Sequence, residues 1–472
     1  MTMTPNIAAA KAALSHIQMD EKPATIRAKS RDFFWYSPIL KARLDHLEAD
    51  FVVNPASEAE VIEILRTCYA HDVPVTVRGA GTGNYGQAMP LAGGCLIHMA
   101  RFNKVKEVHP GRVIAEPGCV IRDLDAFCKA DSGQELRMMP STAHQATIGG
   151  FVAGGSGGIG SVHWGALRDL GNIIRLRVVT MEEEPRVLEF RGEELHRVSH
   201  AYGTNGIITE LEMPLAPAYD WVDMFVSFKD FRESMEYSEA LANEAGILLK
   251  LVSLYEAPLA KEYFQRVKPH VEADDSLVGL MVAPHSMDGF ETFTARWPGA
   301  RIIYRSDNVT WDRHPGPVFE HGWNHTTLRA LKFDKSLTYL QVRYSYPRHI
   351  ELVEKVRAEF GAEVLQHLEV MKEGGKVMFA GLPIVRYTTD ERLEEIVRLH
   401  EQMGCMIFNP HRYTLEEGGR QSTDRRQLEF KREADPKGLL NPGKMITWDE
   451  PDFDYSAIYA YKGMRPAPET AE

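Results

Sequence analysis

Three glycine-rich segments, far apart and separated by strand-like runs, constrain this chain more than any other feature. The first reads Arg78-Gly79-Ala80-Gly81-Thr82-Gly83-Asn84-Tyr85-Gly86-Gln87. The second opens as Thr147-Ile148-Gly149-Gly150 and continues through Gly154, Gly155, Gly157, Gly158, Gly160, Ser161 and Trp164-Gly165. The third is Tyr202-Gly203-Thr204-Asn205-Gly206-Ile207-Ile208-Thr209-Glu210. Glycine permits positive φ and lets a ligand touch the main chain. Successive amides in such a loop form an anion nest that suits a pyrophosphate, and Arg78 could add a charge-assisted hydrogen bond. One cluster alone would read as a tight turn; three in this arrangement allow close backbone approach along an extended ligand.

Gly81, Gly83 and Gly86 spell G-x-G-x-x-G, but a Rossmann motif needs a helix to begin inside it. Met89-Pro90-Leu91-Ala92-Gly93-Gly94 follows at once and leaves no room for one. A Rossmann fold is therefore rejected. The anion site must be built locally, because the chain carries a formal charge of −12 with no Lys/Arg run. That balance argues against nucleic-acid binding. The five cysteines include no Cys-x-x-Cys pair and suit buried small hydrophobes better than a disulfide framework or zinc knuckle. With neither a signal-peptide pattern nor an apolar run near the roughly 20 residues of a membrane span, a cytoplasmic location is expected.

Residues 1–45 read as an arm, with a helical stretch around Ile7 to Ile17 and the aromatic segment Phe33-Phe34-Trp35-Tyr36-Ser37-Pro38, suited to packing on a neighbouring domain or subunit. Ser57 with Glu60 predicts a capping box. Strands are expected at Val75 to Val77, Cys95 to Met99 and Val113 to Glu116, and a helix over Ile121 to Ala130. A hairpin of Arg175 to Met181 and Arg186 to Phe190 is turned by three solvated glutamates, Glu182 to Glu184. Beyond Pro217 glycine thins out and amphipathic helices alternate with strands. Helices ending at Gly246, Gly361 and Gly404 are expected, with a strand over Leu337 to Tyr344. This predicts boundaries of 46–217 for a glycine-rich domain, 218–406 for a second α+β domain and 407–472 for a polar C-terminal segment.

Taken in order, the Arg-Gly-x-Gly-Thr loop, Glu116-Pro117-Gly118, Thr147-Ile148-Gly149-Gly150, the Gly203-to-Thr209 segment and Asp435-Pro436-Lys437-Gly438-Leu439-Leu440-Asn441-Pro442-Gly443-Lys444 resemble the FAD-linked oxidases with a PCMH-type FAD-binding domain, the vanillyl-alcohol oxidase superfamily. The resemblance runs from about Asn54 to Pro217 and resumes at the C-terminal signature. It implies an α+β fold: a two-lobed FAD-binding domain, an α+β cap over the isoalloxazine ring, and a C-terminal segment returning to the FAD domain. Carried over by position, Arg78, Gly79, Ala80, Gly81, Thr82, Gly83 and Asn84 would hold the pyrophosphate, with Gly86 and Gln87 close by. Thr142, Gly149, Gly150, Gly157, Gly160 and Ser161 would line the ribityl and ring region. Ile208 would offer backbone hydrogen bonds, and Asn441 and Lys444 would return to the flavin neighbourhood. Doubly linked relatives resembling berberine bridge enzyme carry a covalent His where Thr82 stands and a covalent Cys near Gln145, so dissociable FAD is expected here.

In this family, residues facing the ring come from the cap and from the segment before the C-terminal signature, here Phe408-Asn409-Pro410-His411-Arg412-Tyr413. His411 is the candidate base, with Arg412 or Tyr413 binding substrate. Arg343, Tyr344, Arg386 and Tyr387 are further candidates, an arginine being the natural partner of a substrate carboxylate. His321 and His325 could share a helix face, but no third ligand is near and packing is the better reading, so no metal is expected. Metal-using 2-hydroxyacid dehydrogenases of the superfamily carry a Gly-Glu-His-Gly type motif where this chain has Asn409-Pro410-His411-Arg412, which weighs against a lactate- or glycolate-type substrate. The leading expectation is an FAD-dependent oxidase or dehydrogenase moving hydride from an alcohol, hydroxy acid or phenol to flavin N5. The alternatives are an NAD(P)H-fed reductase of a double bond and an FAD-binding subunit for electron relay or structure. The electron acceptor is open among oxygen, quinone, cytochrome and flavoprotein, and a homodimer is expected from the family's habit.

Overall fold

Ser57 caps the helix Glu58–Ala70 by accepting the Glu60 amide at 3.2 Å, and the Glu60 carboxylate reaches back to the Ala56 amide at 2.7 Å. This is the expected capping box, with its return bond one residue earlier than usual. The computed structural model describes residues 4–155, 157–308, 311–419 and 424–453. The helix covers a four-stranded sheet in the order Met19–Asp20, Phe51–Val53, Cys95–His98, Val75–Arg78. The last three strands run parallel, which explains why they read as continuous apolar runs. The C-terminal signature joins at the open edge: the Val75 amide donates to the Leu439 carbonyl and the Asn441 amide to the Val75 carbonyl.

A second lobe is antiparallel. Its central strand, Ile207–Pro217, pairs with Arg112–Ala115 on one side and Arg175–Val179 on the other, and Gln134–Leu136 pairs with its C-terminal end. The hairpin of Arg175–Val179 and Val187–Arg191 turns at the three glutamates as expected. Helix Ile121–Ser132 ends at Gly133 in the left-handed region (φ 65°).

The cap is an eight-stranded antiparallel sheet: Arg301–Arg305, Val222–Phe228, Ser276–Val282, Leu249–Tyr255, His367–Glu373, Lys376–Gly381, Val342–Tyr344 and Met406–Ile407. Strand side chains alternate between faces. Val222, Met224, Val226 and Phe228 pack with the helices Phe231–Asn243, Met287–Thr294, His349–Phe360 and Asp390–Met403. Phe225, Tyr255, Leu277 and Met281 pack on the other face, with Leu259–Tyr263 and Asn324–Phe333. Being covered on both sides, these strands carry no polar alternation.

Helices His349–Phe360 and Asp390–Met403 stop at Gly361 and Gly404 as expected. Two expectations fail locally. Helix Phe231–Asn243 leaves at Glu244 in an extended conformation, so Gly246 is not its cap. Leu337 to Tyr344 is two strands: Leu337–Tyr339 pairs with Ile384–Arg386 in a small three-stranded sheet, and Val342–Tyr344 joins the large one. The fold is α+β, with two FAD-domain lobes and a cap. The aromatic arm packs within the chain: Tyr36 meets the Tyr339 ring edge-on at 6.0 Å, and the Thr338 hydroxyl donates to the Tyr36 carbonyl at 2.8 Å.

Candidate active-site cleft

The two lobes and the cap enclose a cleft of about 790 Å³, within the range of roughly 300–1,000 Å³ common to ligand pockets. The first glycine segment lines one side of it, from Val77 to Tyr85, facing the helix Ile148–Gly154. Glycine is required at 79 by close approach: a Cβ there would collide with Thr147 Oγ1, which caps the helix by accepting the Gly150 amide at 3.3 Å. At Gly81 (φ 69°) the backbone is left-handed and a Cβ would run into the Arg78 guanidinium.

The amides of Ala80 to Asn84 have no acceptor among the described residues, and the Asn84 Nδ2, on a side chain 4% exposed, has none either. Ala80 to Gly83 are half-buried and Asn84 is buried, so consecutive main-chain donors face the cleft with no protein acceptor. A diphosphate supplies that acceptor, so the donor set fits FAD. Other expected cofactor residues on this cleft are Gln87, Thr142, Gly149, Gly150, Gly157 and Ile208.

Arg78 borders the cleft, but its guanidinium donates to carbonyls, at 2.8 Å to Arg31, at 2.7 Å to its neighbour Ala80, and to Lys29. It ties the arm to the glycine loop instead of reaching for a ligand, and burial brings it down to about 10, with Asp32 opposing. Gly86, Gly160, Ser161, Asn441 and Lys444 stand behind the cleft lining. Lys444 donates to the Gly86 carbonyl, and Asn441 Nδ2 donates to the carbonyls of Gln87 at 2.9 Å and Tyr202 at 2.7 Å. Gly160 donates its amide to the Lys250 carbonyl at 2.8 Å, and Ser161 Oγ accepts the Gly158 amide at 3.0 Å.

The substrate-side candidates divide sharply. His411 is 1% exposed, with Nδ1 2.8 Å from Ser37 Oγ and Nε2 3.0 Å from the Tyr339 carbonyl. Both ring nitrogens are engaged away from the cleft, and burial pulls its pKa down to about 3. It joins arm to cap and does not line the cleft. Arg412 is paired with Glu394, and Tyr413 packs against the Lys444 ammonium at 5.0 Å. Tyr344 is buried in the cap with its hydroxyl donating to Gln366 Oε1 at 3.0 Å. Arg386 lies 3.7 Å from Asp334 and Tyr387 donates to Asp390 at 2.8 Å, both away from the cleft. Arg343 alone of this set lines the cleft, where it is paired with Glu373. His321 is packed against Phe225 and Phe264, and no group of three or more metal-ligating side chains occurs among the described residues.

Several cleft residues escaped the sequence reading. The cap contributes Trp323, Gln341, Met371, Lys372, Glu373 and Met378. The FAD domain adds Tyr85 and Tyr202, and the arm adds Asp32. Asp32 accepts the Phe34 amide at 2.9 Å and the Ala88 amide at 3.2 Å. Burial raises its carboxyl and lowers the Lys444 ammonium, each opposed by the other's charge. Tyr202 stands at a positive φ (53°), next to Gly203 at 67°, and its place in the third glycine segment was the one local signal that marked it.

Residues 49–188 match the FAD binding domain family. An uncharacterized FAD-linked oxidoreductase of Mycobacterium tuberculosis is 32% identical over 198 residues, 39% of this chain and 42% of that protein. A glycolate oxidase subunit of Escherichia coli is 33% identical over 176 residues, 35% of this chain and 34% of that protein. The chain thus spans less than half the length of these curated relatives. The solved 4-ethylphenol oxidase from Gulosibacter chungangensis superposes with a TM-score of 0.67 at 17% identity, covering 94% of this chain and 97% of that one, which shows a shared fold. Residues 49–188 are thus an FAD-binding domain, and the chain is similar to FAD-linked oxidoreductases over that region and shares the fold of 4-ethylphenol oxidase.

Proposed function

We propose that this chain is an FAD-dependent oxidoreductase that oxidises a small alcohol bearing an anionic group, with the flavin held without a covalent link. The observation that carries the reading is Arg343, a cap arginine lining the same cleft as the unsatisfied glycine-loop amides. When bound, FAD would supply the hydride acceptor, and the proton of the carbinol hydroxyl would pass to solvent water at the open side of the cleft. The chain's own residues do the rest. The Ala80-to-Asn84 amides hold the diphosphate, Gly149 and Gly150 permit close approach, and Met371 and Met378 help exclude water from the cap side. Arg343 receives the anionic group, which takes the place of the Glu373 carboxylate against its guanidinium, and fixes the carbinol carbon's orientation. The anion is held by this side chain, since Asn409-Pro410-His411-Arg412 replaces the metal-associated motif. Thr82 stands where a flavin-linking histidine occurs in doubly linked relatives.

The test is purification of the full chain and a visible spectrum before and after acid precipitation. Yellow colour moving to the supernatant is expected. Anaerobic mixing with glycolate, D-lactate and the uncharged benzyl alcohol should bleach the flavin with the anions. Arg343→Ala should keep FAD and raise KM for the anion about tenfold to a hundredfold, the worth of a hydrogen bond to a charged group. Equal bleaching by benzyl alcohol, or unchanged kinetics in Arg343→Ala, refutes the anion assignment. Oxygen uptake, quinone reduction and cytochrome reduction then identify the acceptor.

A further inference from the structure

Trp323 opens the helix Asn324–Phe333 at φ 50° and ψ −139°, a backbone region normally left to glycine. Such an outlier costs about 1–3 kcal/mol and persists only where its surroundings over-determine it. Here they do. The Trp323 amide donates to Glu369, a carboxylate 1% exposed on the strand His367–Glu373. Ser253 Oγ donates to the other Glu369 oxygen, and His367 Nε2 lies 2.8 Å from the first. A Cβ at residue 322 would come within 2.7 Å of Glu369 Oε1 and 2.8 Å of Ser253 Oγ, so a side chain there would push this hydrogen-bonded pair aside.

The outer edge of the Trp323 six-membered ring is seated on Gly157, 3.0 Å from where a Cβ would stand. Gly157 belongs to the FAD domain and Trp323 to the cap, and both line the cleft. A buried carboxylate thus fixes a strained residue whose ring spans the junction of the two domains.

We propose that Trp323 is a specificity-determining wall of the cleft, closing it at the Gly157 junction and limiting the chain length of the molecule admitted, and that Glu369 is the positioning residue that holds it. This rests on the reading of the cleft as a flavin and substrate site. Shortening the wall opens space for an alkyl chain beyond the carbinol carbon, while Glu369, which does not line the cleft, acts through the Trp323 backbone.

Two measurements test it. Trp323 is the one tryptophan of seven that lines the cleft among the described residues, so titrating flavin-stripped protein with FAD should quench its emission. Trp323→Phe should bind FAD and lose part of that quenching. In Trp323→Ala, the ratio of kcat/KM for 2-hydroxyoctanoate to that for glycolate should rise about tenfold or more, through a lower KM for the longer acid. Glu369→Gln should shift the ratio the same way, and Ser253→Ala is the milder variant should Glu369→Gln fold poorly. Full quenching retained in Trp323→Phe, or a chain-length ratio unmoved in Trp323→Ala, overturns the proposal. A wild-type protein that takes up no FAD, or is reduced by none of the probes, overturns the underlying function instead.

Discussion

Replacing Lys250 by Met should destabilise the joint between cap and FAD domain by about 3 kcal/mol. Lys250 lies on the cap strand Leu249–Tyr255 and pairs with Glu135 of the second lobe, their side chains 5% and 3% exposed. Trp221 Nε1 donates to the same Glu135 oxygen at 2.9 Å, and Lys129 lies 3.2 Å from the other. Burial lowers the Lys250 ammonium, with the Glu135 charge as the chief opposing influence. Breaking one side of a buried pair costs about 3–5 kcal/mol, because the remaining charge is left unpaired. Glu135 would keep Lys129, whose side chain is 40% exposed, so the lower end applies. Adding Glu135→Gln removes the stranded charge and preserves an acceptor for Trp221, so the double variant should recover to within about 1 kcal/mol of the parent, the worth of one ordinary hydrogen bond. Urea unfolding followed by tryptophan emission measures all three differences. A loss under about 1 kcal/mol in the single variant, or a double variant equal to the sum of its singles, would refute the argument.

Acid should destabilise the fold through histidines that burial keeps neutral. His411 and His321 are pulled down to about 3 and His400 to about 4, while unfolded imidazoles titrate near ~6.5. Their contribution is complete above ~6.5 and is lost as pH falls towards the folded values, at about 4 kcal/mol per pH unit for the three. His400→Phe, which keeps a ring against Phe360 (5.0 Å now), should shallow the acid slope by about 1.4 kcal/mol per pH unit; an unchanged slope in a urea series from pH 7 to pH 5 refutes it. His411→Gln should lower stability without moving either limb of the pH–rate profile; loss of a limb would restore it as the base. Gly79→Ala should displace Thr147 from its capping position, costing about 1 kcal/mol of helix stability, and weaken FAD uptake. A Kd within twofold of the parent would contradict that.

Much of the FAD side was legible because its chemistry is local. A run such as Gly79 to Gly83 declares exposed amides wherever it folds, and Ser57 with Glu60 declares a helix start. The cap side was not, because its chemistry is tertiary. Arg343 and Tyr344 are sequence neighbours, yet one faces the cleft and the other the core, since strand side chains alternate. Sequence cannot assign which parity is which until the sheet is paired. The place of His411 was hidden for a related reason. A polar loop beside the C-terminal signature looks reactive, but Ser37 lies 374 positions away in sequence and 2.8 Å away in space. Trp323 carried no signal at all, because its left-handed backbone is imposed by Glu369 from another strand.

The arm and the C-terminal signature give the glycine loop what its own composition denies it. Glycine loses more conformational freedom on ordering than any other residue, so an unbraced nest would spend part of its binding energy becoming ordered. Here the bracing comes from outside the loop. Arg78 is clamped by arm carbonyls, Asp32 accepts the Ala88 amide, Lys444 holds the Gly86 carbonyl and Asn441 bridges Gln87 to Tyr202. Asn441 itself stands at φ 42°, a strain its two hydrogen bonds offset. The donors proposed for the diphosphate are therefore fixed by residues that stand behind or beside them, contributed from both ends of the described chain. It follows that flavin affinity depends on segments that the glycine pattern never reveals, and that truncating the arm should weaken FAD binding even though every glycine remains.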